Sequence, residues 1–257
     1  MAAMRVGAML GGLAAALAMA LTPAGLAWGR AATVARVTPR ADGLRAVYTL
    51  PAPVDRFVFE EAVEDVRADT WHVPDDMVLA KGVLTRKDGK PFQAFTVRIT
   101  PDTAPRDRRY PALTRVGDGW QVYGPYFKAA EGGAPVRVTI ARAKGWVIAP
   151  SAGKASGKAA AKAGDDLLPV EGWVFAGPAD YVSRGEAVLV VAPNVEPELR
   201  AEIAAVAKSA TRLYARRLAM DLPVAPTLIV TRVPSFNPGW QGDTTDGPAA
   251  SLRFFGP

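Results

Sequence analysis

The chain has 257 residues, 49% of them hydrophobic and 22% charged, with a formal net charge of +6. That is an ordinary globular balance, with enough apolar material for a sizeable core in one large domain or two small ones. There is no cysteine and one histidine, His72, so disulfides, thiolate metal sites and thiol nucleophiles are excluded.

Met1 to Arg5 form a short positive segment, Val6 to Leu21 an apolar run, and Thr22-Pro23 a break. Gly25-Leu26-Ala27 then places small residues where a signal peptidase reads, so residues 1–27 are expected to be a secretory signal peptide. The apolar run, at about 16 residues, is shorter than the roughly 20 needed to span a bilayer. No later segment is apolar enough to span, so the mature chain is expected to be exported, in the periplasm or cell envelope. Gly (24) and Pro (22) are frequent, which favours short strands separated by turns.

In chain order, strands dominate up to about Gly177. Arg45 to Leu50 alternates, and Pro51-Ala52-Pro53 is expected to break it. Arg56 to Phe59 is extended again. Trp71-His72-Val73 precedes a turn at Pro74-Asp75-Asp76. Val83-Leu84-Thr85 leads to Asp88-Gly89, a dipeptide that tolerates positive φ and so predicts a hairpin with the strand Phe95 to Thr100. Gly117-Asp118-Gly119 is a turn before Trp120 to Tyr123, and Val136 to Ile140 alternates once more. Gly145 to Ala149 and Gly172 to Ala176 echo each other and are expected to be two strands joined by an expanded loop.

That loop, Ser151 to Gly164 ("SAGKASGKAAAKAG"), carries Lys154, Lys158 and Lys162 and no acid. Small residues and solvated lysines describe a flexible loop over 151–166. A tether to anionic lipid or nucleic acid is the functional alternative, but no aromatic is interleaved for stacking, and nucleic acid is not an expected partner.

The pattern changes after Gly177. Ala187 to Val191 is a continuous apolar run, as a buried strand requires. Pro197 to about Met220 is the one long helix, with Leu199, Ile203, Val206, Ala210 and Leu213 as its apolar stripe. Acids at its start and bases at its end complement the helix dipole. Thr227 to Thr231 is a second buried strand. The shift from alternating strands to a β-α-β order marks an expected boundary near Gly177 to Arg184. The fold class is α+β, with a β-sandwich at residues 28–178, expected to be antiparallel, and the start of an α/β unit at 179–257.

Few residues carry a chemical signal. His72 beside Trp71 reads as an ordinary structural residue. A Ser-His-Asp triad would need His72, and no Ser lies in a G-x-S-x-G elbow. The acid pairs Glu60-Glu61, Glu64-Asp65, Asp75-Asp76 and Asp165-Asp166 read as solvated loop residues rather than a glycosidase pair. Asp243-Thr244-Thr245-Asp246-Gly247 lacks the alternation of a calcium loop. Trp120, Tyr123, Tyr126 and Phe127 cluster as a sugar platform would, but core packing explains them at least as well.

From Ala187 onward the order of elements resembles the opening of the catalytic domain of gluzincin zinc aminopeptidases, the aminopeptidase N and glycyl aminopeptidase type. The resemblance lies in the buried strand, the long helix running into Leu213 to Pro223, the strand "PTLIVTRVP" (Pro226 to Pro234), the Gly-rich Gly239 to Gly242, and Ala249 to Phe254. "VYTLPAPVDRFVFE" (Val47 to Glu60) is similar to the opening of that family's β-domain. The family's H-E-x-x-H motif and its Gly-x-Met-Glu-Asn box are absent.

The resemblance implies a thermolysin-like opening in which an edge strand holds a peptide. Gly242, Ala249, Ala250, Ser251 and Leu252 are the expected substrate-binding residues; no catalytic and no metal-binding residue is expected in the chain. On this reading the chain is the N-terminal portion of an exported zinc aminopeptidase-type protein, itself inactive, with zinc and a peptide or protein substrate belonging to the full-length parent. The alternative is a non-catalytic periplasmic β-sandwich module that binds a protein or peptide.

Overall fold

The computed structural model describes residues 32–60, 67–101, 112–131, 133–149, 167–170, 172–218, 225–234, 238–244 and 249–256. The expected signal peptide (1–27) and lysine loop (151–166) lie outside the described residues, as do Glu61, Glu64, Asp65, Asp165 and Asp166. What is described is mostly β-sheet, with one long helix.

The largest sheet has six strands in the order β12 (Leu167–Pro169), β10 (Val136–Ala141), β1 (Thr33–Arg40), β2 (Gly43–Val54), β7 (Phe92–Ile99), β4 (Trp71–His72). Its central strands alternate as the sequence predicts. Ala35, Val37, Ala46, Tyr48, Phe95 and Val97 are buried on one face, and Arg36, Arg45 and Arg98 stand exposed on the other. Two smaller sheets cover the buried face: β3 (Arg56–Val58), β6 (Val83–Arg86), β5 (Met77–Ala80), and β11 (Trp146–Ala149), β13 (Trp173–Pro178), β9 (Gly119–Tyr123), β8 (Leu113–Val116). Side chains from all three sheets share one core, in which Tyr48, Phe57, Phe59, Phe95, Trp71 and Phe127 are in ring contact. Trp120, Tyr126 and Phe127 are buried there, so the aromatic cluster is core and not a sugar platform.

Three sequence expectations are corrected. The sandwich contains a parallel pair, β1 with β10. β10 arrives from the facing sheet rather than through a tight turn, so nothing forces it antiparallel. Second, β2 runs on through Pro51-Ala52-Pro53, where its register with β7 shifts between Thr49 and Val54. Prolines are tolerated because the ladder is irregular there and needs no donor from them. Third, Asp88-Gly89 is a turn but not a hairpin, since β6 pairs with β3 and β5 while β7 pairs with β2 and β4. Gly89 has φ +71°, and Asp88 accepts from Arg86 Nε at 3.0 Å, so the turn chemistry is local and says nothing about which sheet each strand joins.

The fourth sheet has the order β14 (Val182–Arg184), β15 (Val188–Val191), β16 (Thr227–Pro234), β18 (Ala249–Gly256), β17 (Gly239–Thr244). β15, β16 and β18 are parallel to one another, and β17 and β14 are antiparallel edges. α1 is a single turn (Arg67–Thr70), and α2 (Pro197–Leu218) crosses from β15 to β16. The helix buries Ile203, Ala207 and Ala210. Leu213, expected in its apolar stripe, is 48% exposed. The stripe drifts, and Thr211 takes the buried place near the end, its hydroxyl donating to the Ala207 carbonyl at 2.9 Å.

The four-stranded sheet lies between the two cores. Trp120, Val122, Val174 and Ala176 face the first, whereas Val116, Trp173 and Phe175 face β15, β16 and β18. This burial on both faces explains why Trp173 to Gly177 is uninterrupted by solvent-facing positions.

Candidate functional site

The residues expected to bind substrate fall into two groups. Gly242 lies exposed on β17, whose outer side pairs with no strand among the described residues. Ala249, Ala250, Ser251 and Leu252 do not lie on an edge: they are buried in β18, which pairs with β16 on one side and β17 on the other. The physical reason is that the chain runs antiparallel from Gly239–Thr244 before entering β18, so β17 takes the outer position. The glycines of "GWQGDT" hide that strand by interrupting its alternation.

Register on β17 and β18 sorts the side chains. Asp243 is opposite Ser251 and Gln241 opposite Arg253, so these four share a face, the one turned toward β9 and β13. Across the junction, Gln121 Nε2 on β9 donates to Ser251 Oγ at 2.6 Å. Arg253, which is buried, donates from Nη2 to Gln241 Oε1 at 2.8 Å and lies 5.7 Å from the centre of the Phe255 ring. Burial raises the Asp243 carboxyl above the ordinary Asp range, while the Thr244 backbone N–H, the Trp173 indole and the Arg253 charge act in the opposite direction.

Among the described residues the Gln121 Oε1 atom and the Thr231 hydroxyl are buried with no hydrogen-bond partner. Thr231 is opposite Arg253 on β16, so it sits on the same face. The result is a polar cluster of a carboxyl group, a guanidinium and carboxamides behind β17, whose outer edge is unpaired among the described residues. It suits holding a polar, extended ligand. It has no activated nucleophile, since Ser251 Oγ is held by a carboxamide that cannot take its proton.

Sequence reasoning missed Gln121, Gln241, Asp243 and Arg253 as a group. The available sign was a polar or charged residue at the alternating position of an otherwise apolar strand, Gln121 between Trp120 and Val122, and Arg253 between Leu252 and Phe254. Their meeting depends on β17 pairing with β18 and on two separate sheets packing so that Gln121 reaches Ser251, which no local pattern carries.

His72 is exposed, with Nε2 at 3.2 Å from Thr100 Oγ1. Asp76 is 3.6 Å from the Arg86 guanidinium in a surface turn. Among the described residues no group of three His, Cys, Asp or Glu side chains converges as a metal site requires, so these residues do not fit zinc. No helix among them is long and apolar enough to cross a membrane.

Neither a family model nor a curated protein sequence matches the chain. Among solved structures it is similar to an M1 zinc metallopeptidase mutant bound to a Tyr-Ser-Ala substrate, from Deinococcus radiodurans, at 12% identity and a TM-score of 0.30, over 77% of this chain and 55% of that one. It is also similar to native yeast LTA4 hydrolase, at 9% identity and a TM-score of 0.37, over 88% of this chain and 40% of that one. The chain therefore spans about half the length of the first and two fifths of the second.

Proposed function

We propose that this chain forms the β-rich, peptide-positioning part of an exported zinc aminopeptidase-type protein whose metal ligands are not among its described residues. The observation that carries this reading is the outer edge of β17, unpaired among the described residues and backed by Asp243, Gln241 and Arg253. An extended peptide adds to such an edge through main-chain hydrogen bonds, and the polar groups behind it orient its charged or polar ends. Support also comes from the order of elements in the sequence, and, for export, from the Met1 to Ala27 pattern. No chemical step is assigned to this chain.

Two measurements test the proposal. Titration of isotope-labelled protein with short peptides is expected to shift the amides of Gly239 to Thr244 and their β18 partners. Shifts confined to another surface would overturn the site. Reading the coding sequence past codon 257 tests the parent: a frame continuing into H-E-x-x-H within about 50 codons is expected. A stop codon there would favour the alternative, a non-catalytic envelope module whose edge strand binds a partner. Stoichiometric zinc with peptidase activity in the purified 257-residue protein would contradict both.

A further inference from the structure

The outer face of the six-stranded sheet is cationic by construction. None of its six strands contains an Asp or Glu. Arg137, Arg36, Arg45 and Arg98 occupy four adjacent strands, β10, β1, β2 and β7, and all four are exposed. Arg36 is opposite Val47 and Arg45 is two residues before it, so the arginines step diagonally across the sheet. Strands lie about 4.8 Å apart, so this stripe crosses roughly 15 Å of surface.

Arg45 and Arg98 are directly opposite each other on β2 and β7. Like charges directly opposite destabilise a sheet. Asp42, in the turn between β1 and β2, lies 3.3 Å from Arg98 and offsets part of this charge. An external anion beside the Arg45–Arg98 pair would offset more of that repulsion.

We infer that this face docks on the surface of an anionic lipid bilayer. Charge complementarity to the phosphate headgroups supplies the attraction. Two features favour a bilayer over nucleic acid. The outward positions of β1, β2, β7 and β10 carry arginine, threonine and small apolar residues but no aromatic ring on which bases stack. Exposed aliphatic side chains stand among the cations, Val34 at 41% and Leu167 at 38%, as they do on surfaces that settle at the headgroup boundary.

The test is co-sedimentation of the full chain with vesicles of phosphatidylcholine, with or without phosphatidylglycerol. Binding is expected to be tighter with phosphatidylglycerol than without it, and that difference is expected to shrink as salt is raised. The variant Arg36→Gln, Arg45→Gln, Arg98→Gln, Arg137→Gln is expected to lose about five-fold in affinity for each arginine removed. The variant Lys154→Gln, Lys158→Gln, Lys162→Gln removes three charges instead of four and is expected to lose less per charge removed than the arginine variant. Residues 6–21 are common to every variant, so their apolar character cancels in the comparison. Equal binding to both vesicle types, or a loss per charge in the lysine variant that matches or exceeds that in the arginine variant, would overturn the inference. So would tighter binding to duplex DNA or to an acidic protein at the same salt. Should the four-fold variant fail to fold, Arg45→Gln and Arg98→Gln measured singly carry the same comparison.

Discussion

Gln121 on β9 donates to Ser251 on β18 at 2.6 Å, and both side chains are about 1% exposed. This bond joins the four-stranded sheet to the five-stranded one, where Trp173, Phe175 and Ile229 also pack. A buried hydroxyl left without its donor costs about 1–3 kcal/mol. Gln121→Leu is therefore expected to destabilise the protein by that amount in denaturant unfolding, and Ser251→Ala by a similar or smaller amount. The double variant is expected to cost less than the sum, because neither polar partner is then stranded. Strict additivity in that cycle would show that the bond contributes nothing beyond its two side chains.

Tyr48 is stacked on Phe95, with centroids 4.5 Å apart and an interplanar angle of 8°, and its hydroxyl donates to the Phe127 carbonyl at 3.3 Å. Burial pushes its pKa well above the ordinary tyrosine range, against a smaller opposing pull from Arg67. A phenol whose folded pKa is raised favours the protonated fold. Its contribution is complete below the unfolded pKa, about 10, and declines as pH rises through that value, because the unfolded chain then releases the proton first. Tyr48→Phe is expected to cost about 1 kcal/mol at neutral pH through the lost hydrogen bond. Above about pH 10 its stability should fall less steeply than that of the parent. Parallel alkaline slopes for the two proteins would refute the linkage.

Asp243 follows the same sign with a different consequence. Its folded pKa is raised, chiefly by burial, so the fold prefers the neutral carboxyl. The stability tied to that preference is present at or below the ordinary Asp pKa, about 3.9, and is lost as pH rises through the raised folded value. At neutral pH the ionised group opposes folding. Asp243→Asn is therefore expected to be neutral or stabilising at pH 7 and to flatten the pH dependence just above the ordinary Asp range. If Asp243 holds the polar end of a peptide, the same substitution weakens the peptide shifts on β17, so the two readouts move in opposite directions. A variant destabilised at neutral pH would show that the Arg253 attraction outweighs burial.

The strands of the six-stranded sheet were legible because one face is buried and one solvated, so Phe95, Val97 and Ile99 against Thr96 and Arg98 carry a clean period of two. β15 and β16 were legible as continuous apolar runs. Partner choice was not legible. Asp88-Gly89 specifies a turn, yet the two flanking strands join different sheets. The site was hidden for the same reason. Gln241, Asp243 and Arg253 sit together because β17 lies antiparallel on β18, and Gln121 reaches them through the packing of sheets distant in sequence. The expected edge at Ala249 to Leu252 was displaced by one strand because Gly239 and Gly242 obscure β17's alternation.

The glycines of the junction separate packing from conformation. A Cβ on Gly119 would lie 2.8 Å from the Phe175 ring, 2.9 Å from the Ala176 carbonyl oxygen and 2.9 Å from the Gly177 Cα. The ring has some freedom, but the two backbone atoms belong to β13, which pairs with β9 and is buried on both faces, so they have little. Gly119→Ala is expected to cost about 1–3 kcal/mol, the usual range for overpacking. Gly239 is the matched contrast: it also lies in a strand, at the exposed edge β17, and a Cβ there meets nothing within 4 Å. Gly239→Ala should change stability by no more than about 0.5 kcal/mol, with a slight gain from the restricted unfolded chain. Urea midpoints of the two variants check the pair. Equal costs would mean that β9 and β13 can separate at Gly119 without disturbing the core on either side.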